Sequence, residues 1–432
     1  MLKSKNDTIS RGQLLFGLLI CLIGASFYCY EFILRILPGA LENELSAAMG
    51  HITATTFGQI AGLYYIAYSP MQMPVGMLMD RYGPRVLLTL ACLCCALGSW
   101  MFTLTYSLLL VGCGRFLVGF GSSFAFIGVL SLAFHWLPKR FFSLAVGLIT
   151  TLGMLGPMYA QIKITEWSVE VGWQRVLFII TLSGFVLNAL IFLVVRDGPK
   201  GHISNTYPLP KFFHNVLKVL MAKEVWLIGL VGACLYTSLS VFGELWGKTY
   251  LEQAHHLTKV QAAHSISAVF LGWAIGAPIA GYISDKTGRR LSILLLGTVL
   301  SLVCIALILY SPGLSYVLLN LLLFFYGLFS STEIIVFTMA KECTAITLSG
   351  TVFAATNMIV SFGGVLLQPL VGKLLDYFDR YGHLIDGVHV YSKASYQAAL
   401  SVIPFSLLMV IVLAYFIKIN ILNNTKRTMN SL

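Results

Sequence analysis

The chain has 432 residues, of which 58% are hydrophobic and 10% charged. A soluble domain carries about 25% charged residues, so this composition excludes one and points to an integral membrane protein. The basic excess, 28 Lys and Arg against 17 acidic residues, forms no nucleic-acid patch: the basic residues sit in short loops between apolar runs, where membrane topology requires them.

A bilayer-spanning helix needs about 20 mostly apolar residues, and twelve stretches qualify. In chain order the predicted spans are 12–37, 53–79, 86–105, 107–134, 140–162, 174–196, 224–250, 261–284, 290–311, 314–340, 347–375 and 396–420. Lys3, Lys5 and Arg11 precede the first stretch as they would in a secretory signal. No small-residue cleavage site follows, so that stretch reads as the first membrane helix. Between the sixth and seventh spans, Asp197-Gly-Pro-Lys-Gly-His and Tyr207-Pro-Leu-Pro-Lys211 read as a linker, with a short amphipathic helix expected at Lys211–Ala222. The expected organisation is all-α: an N-terminal six-helix bundle over 1–196, a basic cytoplasmic linker over 197–223 and a C-terminal six-helix bundle over 224–432. With the N-terminus in the cytoplasm, 19 Lys and Arg lie on that side and eight on the other, leaving Arg115 within a helix. That asymmetry predicts both termini in the cytoplasm and a multi-pass protein of the inner membrane. The nine Cys lie in or at the end of apolar runs. Their spacing fits neither a disulfide framework nor a zinc site.

Two loops 205 residues apart nearly repeat one another. Gly76-Met-Leu-Met-Asp80-Arg81-Tyr-Gly83-Pro-Arg85 and Gly281-Tyr-Ile-Ser-Asp285-Lys286-Thr-Gly288-Arg-Arg290 share Gly, Asp four on, Gly three later and Arg two after that. A repeat at this period in a membrane chain indicates two similar halves with a solute path between them. Twelve helices in two halves with these loops resemble the major facilitator superfamily over nearly the whole chain. Gly114-Arg115-Phe-Leu-Val-Gly119-Phe-Gly121 in the fourth span is similar to that superfamily's Arg-containing motif. Tyr30-Glu31-Phe32-Ile-Leu-Arg35-Ile-Leu-Pro38 resembles bacterial organic-anion and sugar-phosphate permeases and relatives of a lysosomal dipeptide transporter. Antiporter branches follow a Gly-Pro in the fifth helix with two further Gly. Here Gly156-Pro157 is followed by Met158-Tyr159-Ala160-Gln161, which speaks against a drug exporter. The resemblance implies that the first and seventh helices line a central cavity, and that the repeated loops act in gating rather than in substrate binding.

A charge at the centre of a membrane helix costs roughly 2.5–3.5 kcal/mol even on the mild insertion scale, so Glu31, Arg35, Arg115, Glu244, Lys248, His264 and Glu333 are candidates for function. Glu31 and Arg35 are four apart, as are Glu244 and Lys248. Each pair shares a helix face, and the two pairs occupy equivalent helices of the two halves. Either pair could bind substrate or satisfy itself, with the long basic chain reaching outward. Arg35, ahead of Pro38, is favoured as a bidentate carboxylate ligand. Arg115 either pairs with Glu31 or holds substrate. Tyr28, Tyr30, Phe242, Trp246 and Trp273 either shape the cavity or simply pack. Glu333 has no basic residue three or four away on its helix. A lone carboxyl in apolar surroundings takes up a proton readily, so Glu333 is the first candidate proton carrier and Glu244 the second, the bland alternative being a hydrogen bond to Ser330 or a neighbouring helix. Asp80 and Asp285, with Arg81, Arg85, Lys286, Arg289 and Arg290, are expected to form ion pairs that shut the cytoplasmic gate. His383, Asp386 and His389 show no fourth metal ligand, and solvated loop residues are expected there.

These features predict a secondary transporter working by alternating access. It would be proton-coupled, a monomer, and selective for a small charged solute: an organic anion (a polycarboxylate siderophore included), or alternatively a dipeptide or amino acid. Arg35, Glu31, Arg115, Glu244, Lys248, Trp246 and Tyr30 would bind it. A transporter-shaped sensor would usually add a signalling region, whereas the tails are about eleven and twelve residues. No nucleophile–base set, Walker motif or dinucleotide motif stands in a credible context, so neither enzyme chemistry nor a cofactor is expected.

Overall fold

The computed structural model describes residues 11–105, 107–198, 209–342, 349–380, 383–385 and 388–430. The N-terminal half holds α1 (Arg11–Ala40), α2 (Glu42–Ala48), α3 (Ala54–Tyr82), α4 (Pro84–Phe102), α5 (Leu108–Ser122), α6 (Ala125–Trp136), α7 (Lys139–Glu170) and α8 (Trp173–Val194). The linker carries α9 (Leu209–Leu220). The C-terminal half holds α10 (Lys223–Thr237), a π-helical stretch Ser238–Trp246, α11 (Gly247–Ala254), α12 (Lys259–Thr287), α13 (Arg290–Tyr310) and α14 (Tyr316–Ser330). A 3-10 turn (Ser331–Ile334), α15 (Ile335–Glu342), α16 (Ser349–Asp379), the hairpin β1 (His383–Ile385) and β2 (Val388–Val390), α17 (Lys393–Leu400) and α18 (Val402–Asn430) complete it.

These elements make twelve crossings in two halves of six. Ten crossings are long and uniformly apolar. The other two, α3 and α7, are 29 and 32 residues long but more polar. Both pack on the partner half, α3 on α16 and α7 on α12, while α7 also leaves Leu144, Leu148 and Tyr159 exposed. The two repeated loops, the start of α1 and the end of α18 lie on one side, here the motif side; the opposite side is the far side. Five helices that start on the far side begin on a Ser or Thr whose side chain accepts from a first-turn backbone N–H: Thr53, Ser107, Thr258, Ser315 and Ser392. Such caps satisfy a donor that the helix itself leaves open. The repeated loops turn alike. Gly83 (φ 81°) ends α3 and Gly288 (φ 66°) ends α12, and a positive φ suits glycine.

Several elements differ from the sequence expectation. The fifth crossing runs on to Glu170, eight residues past its predicted end at 162. The linker helix is Leu209–Leu220 rather than Lys211–Ala222. Helix α2 and the β1–β2 hairpin had no periodic signal in the sequence, being too short for one. The expected Glu244–Lys248 pair does not form. The π-helical stretch over Ser238–Trp246 adds a residue per turn, which moves Lys248 off the face of Glu244. Lys248 Nζ instead lies 2.8 Å from Glu252 Oε1.

The halves close on the far side through direct backbone approach. A Cβ on Gly39 of α1 would lie 2.2 Å from the Glu244 carbonyl oxygen, and one on Gly372 of α16 would lie 2.1 Å from that of Ala54. Both crossings therefore require glycine. Spin labels placed at Glu170→Cys and Pro312→Cys, one per half on the far side, in a protein freed of its native cysteines, should move apart when Gly39→Val or Gly372→Val is added. An unchanged distance in both variants would show that the far side closes by other contacts.

Candidate functional site

The two halves meet at a buried polar cluster built from α1, α3, α10 and the π-helical stretch. Arg35 Nε donates to Tyr64 Oη at 2.8 Å. Its Nη1 donates to Tyr236 Oη at 3.2 Å, and Nη2 to both Glu31 oxygens at 3.2 Å. The guanidinium carbon lies 4.2 Å from the Phe32 ring centre and 4.8 Å from that of Tyr68, a cation–π contact that gains strength away from water. Tyr64 Oη donates to Glu31 Oε2 at 3.2 Å. Across the interface, Glu244 accepts from Tyr65 Oη on Oε2 and from Tyr236 Oη on Oε1 at 3.3 Å. Tyr236 thus links the cation of one half to the carboxylate of the other. Toward the motif side, Asn357 Nδ2 donates to Gln72 Oε1 at 2.9 Å, and Tyr68, Tyr236 and Asn357 are only partly buried.

Arg115 departs from expectation. It neither pairs with Glu31 nor points its donors into the cluster. Nη1 donates to the Leu34 carbonyl at 2.7 Å, Nη2 to that of Arg35 at 2.9 Å, and Nε to that of Ala61 at 3.4 Å. Pro38 leaves the Leu34 carbonyl without a helical donor, since proline lacks the N–H that would reach back four residues, and Arg115 supplies it. This residue fastens α5 to α1 and α3.

Tyr30 also turns away. It packs on Gly184 of α8, and its hydroxyl is buried without a hydrogen-bond partner among the described residues. Trp246 Nε1 donates to the Gln368 carbonyl at 3.1 Å, with the ring against Phe57, so it belongs to the far-side closure. Tyr28 and Phe242 pack among neighbouring rings, and the buried Trp273 Nε1 has no partner among the described residues. His264 is half exposed, 3.7 Å from Glu166. Lys248 belongs to the far-side gate described below.

Glu333 lies apart from the cluster, in the 3-10 turn between α14 and α15. It is buried against Gly232, and its Oε1 has no hydrogen-bond partner among the described residues. Ser330 does not supply one, because its hydroxyl donates to the Gly327 carbonyl at 3.1 Å.

Arg290 and Arg85 of the repeated loops bond within their own halves. Arg290 Nη1 is 2.5 Å from Asp285 Oδ1, and Nη2 is 2.9 Å from Glu342 Oε1. The Arg85 backbone N–H donates to Asp197 at 2.8 Å and its Nη2 to the Phe192 carbonyl at 3.0 Å. Arg290 of α13 thus forms inter-helix ion pairs, with Asp285 of α12 and Glu342 of α15, within its own half. Asp80, Arg81 and Lys286 are exposed, and a Cβ on Gly76 or Gly281 would meet nothing within 4 Å. His389 Nε2 donates to the His51 carbonyl, 2.9 Å away. Asp386 lies outside the described residues, and no metal-binding group occurs among the described ones.

Sequence reasoning missed Tyr64, Tyr65, Tyr68 and Tyr236. The clustering of three tyrosines in one turn and a half of an otherwise apolar helix was the available signal.

Comparison with known proteins agrees with this architecture. The family model described as Major Facilitator Superfamily matches residues 20–368. The chain is 22% identical to the lysosomal dipeptide transporter MFSD1 of Danio rerio, across 84% of this chain and 81% of that one. It is 24% identical to the probable galactarate/D-glucarate transporter GarP of Escherichia coli K12, across 93% of each. In fold it is similar to a bacterial homologue of the human lysosomal transporter Spinster in an inward-facing, unoccupied conformation. That match has a TM-score of 0.73 at 14% identity and covers 93% of this chain and 96% of the other.

Replacing Arg115 by Met leaves the Leu34 carbonyl without a donor, at about 1–3 kcal/mol for a buried group left unsatisfied, and removes the bonds that tie α5 to the Arg35 and Ala61 carbonyls. The detergent-solubilised protein should then melt several degrees lower, with Arg115→Lys recovering part of the loss. Equal melting temperatures for Arg115→Met and wild type would show that these bonds do not hold the helices.

Proposed function

The chain belongs to the major facilitator superfamily, and we propose from that premise that it moves a small carboxylate-bearing anion across the inner membrane, coupled to protons. The carrying observation is Arg35. Its guanidinium is buried in the protein between two aromatic faces and bonded from both halves. Its carboxylate partner, Glu31, is one that a substrate carboxylate can replace. Once Glu31 takes a proton, the guanidinium is free to pair with the incoming anion in the bidentate geometry arginine favours. Tyr236 joins that pair only when the halves are together, so substrate binding favours one conformation over another, as alternating access requires. Glu333, with an unpartnered carboxyl oxygen in the core of the second half, is the proposed proton carrier, and Glu244 a second. The basic-residue asymmetry supports placing the motif side and both termini in the cytoplasm.

A specific observation favours a second reading. Glu244 lies across one tyrosine from Arg35, so the walls carry opposite charges. A zwitterion such as a dipeptide or amino acid could lay its carboxylate on Arg35 and its amine on Glu244. The two named relatives stand for the same two classes, a sugar diacid and a dipeptide.

A thermal-shift panel separates these readings. A ligand at about 100 times its dissociation constant stabilises by about 2.7 kcal/mol. Dicarboxylates should raise the melting temperature of wild type and leave Arg35→Gln unmoved. A shift confined to molecules with both a free amine and a carboxylate, lost in Glu244→Gln, establishes the zwitterion reading. Arg35→Gln responding like wild type removes Arg35 from the site under either. In proteoliposomes, Glu333→Gln should exchange substrate yet fail to accumulate it under an inward proton gradient, and wild-type accumulation would remove Glu333 as carrier.

A further inference from the structure

Three acidic residues and two lysines meet where the halves close on the far side. Lys248 Nζ is 2.8 Å from Glu252 Oε1, and Lys259 of α12 pairs with Glu44 of α2. Asn43 donates to Glu252 Oε2 at 3.1 Å. Both lysines are thereby engaged, and Glu42 is left as the odd carboxyl. It sits on α2, outside the membrane-spanning helices, and is more than nine-tenths buried. Its Oε2 accepts from Thr249 Oγ1 of the other half at 2.5 Å. Beside it runs a small polar cleft, about the size of a single water, bordered by Ser46, Phe57, His389 and Tyr391.

We propose that Glu42 is a proton-binding residue of the far-side gate: closing the gate takes a proton onto its carboxyl, and opening the gate releases that proton to far-side water. The proposal deepens the proton-coupled reading and rests on it, while adding a second proton site away from the substrate. Burial pushes the Glu42 carboxyl up to about 8, against the Thr249 hydrogen bond and the Lys248 charge, which lower it; Glu252 and Glu44 raise it further. The other groups facing Glu42 are His389 and Tyr391 at the hairpin and Tyr396 of α17, with Asp376 of α16 behind Tyr391. Burial disfavours ionised Glu44 too, but Lys248 and Lys259 outweigh it and hold that carboxyl below its usual value. Glu44 therefore stays charged while Glu42 titrates.

The direction follows from linkage. In the open gate Glu42 meets water and titrates near the ordinary carboxyl value of about 4.3. In the closed gate it titrates near 8. The closed state binds more protons between those values. The closed-to-open ratio is highest below the ordinary value, falls up to about tenfold per pH unit as pH rises, and levels off above about 8.

The far-side spin-label pair at positions 170 and 312 tests this in lipid nanodiscs without substrate, at steps from about pH 5.5 to 9. Wild type should shift from short to long distances up to about pH 8 and then stay flat. Glu42→Gln, which cannot ionise, should stay short throughout, and His389→Gln should follow wild type. Thr249→Val removes a donor that favours the ionised carboxyl, so it should extend the closed state to higher pH, and it serves if Glu42→Gln does not fold. A distance independent of pH in wild type, a wild-type response in Glu42→Gln or in Thr249→Val, or loss of the response in His389→Gln overturns the proposal. Because the readout is conformation, a pH-responsive gate in a protein that shows no proton-driven accumulation would refute the coupling reading and leave the gate standing.

Discussion

The bilayer core offers no water to a polar group, so each such group must find its partner inside the protein. Arg115 shows how far this shapes the fold. Its three nitrogens are spent on main-chain carbonyls of α1 and α3, one of them freed by the proline in α1. The charge is buried in order to hold three helices in register. Arg35 meets the same constraint in another way, through two tyrosine hydroxyls, one carboxylate and flanking aromatic faces. These partners are side chains, which can rotate, whereas those of Arg115 are backbone and fixed. That difference separates a structural cation from one able to exchange a ligand.

The same constraint explains why two crossings are less apolar than the rest. Helix α3 turns polar residues to the other half, Tyr65 to Glu244 and Gln72 to Asn357, whereas α7 satisfies the hydroxyls of Thr151, Thr165 and Ser168 on its own carbonyls. On the far side this contact is dense. Thr55 N–H donates to Asp376 Oδ2 at 2.9 Å, Tyr391 Oη donates to Asp376 Oδ1 at 2.5 Å, and the Ala54 N–H donates to Tyr391 Oη at 3.1 Å. The start of α3 is thus capped by an acid from the other half, which the positive end of a helix favours. On the motif side the bonds of Arg85 and Arg290 stay within their own halves. The conformation is therefore closed on one side by contacts between halves, and the loops that repeat in sequence stand ready on the other.

Much of this was legible in the sequence, and the limits have physical causes. Twelve spans, the linker and the repeated loops follow from hydropathy and glycine placement, because the bilayer allows few alternatives. Pairing failed where it depended on helix type: Glu244 and Lys248 have the spacing of an α-helical pair, but a π-helical stretch changes the face. Arg115 was misjudged because its partners are carbonyls, which no residue letter announces. Tyr64, Tyr65 and Tyr68 were missed because nothing in the letters places them beside Arg35, 29 to 33 residues away. The far-side gate draws α2, α11, α12 and the hairpin together from stretches more than 200 residues apart, a proximity only the fold creates.

The end of α1 and the start of α2 bring these features together. Arg35 carries the proposed anion contact, and Gly39, about one turn on at roughly 1.5 Å per residue, makes the closest approach to the second half. Glu42, the gate carboxyl, follows on α2, just past the end of α1 at Ala40. Gly39 leaves no slack against Glu244 and Leu245. A change in how Arg35 is held is therefore felt at the glycine crossing, and the chain beyond it leads directly into the Glu42–Thr249 contact. Occupancy at the centre and closure at the far side meet in this way in one short stretch of chain, which is the coupling that a carrier with a single site between two halves needs.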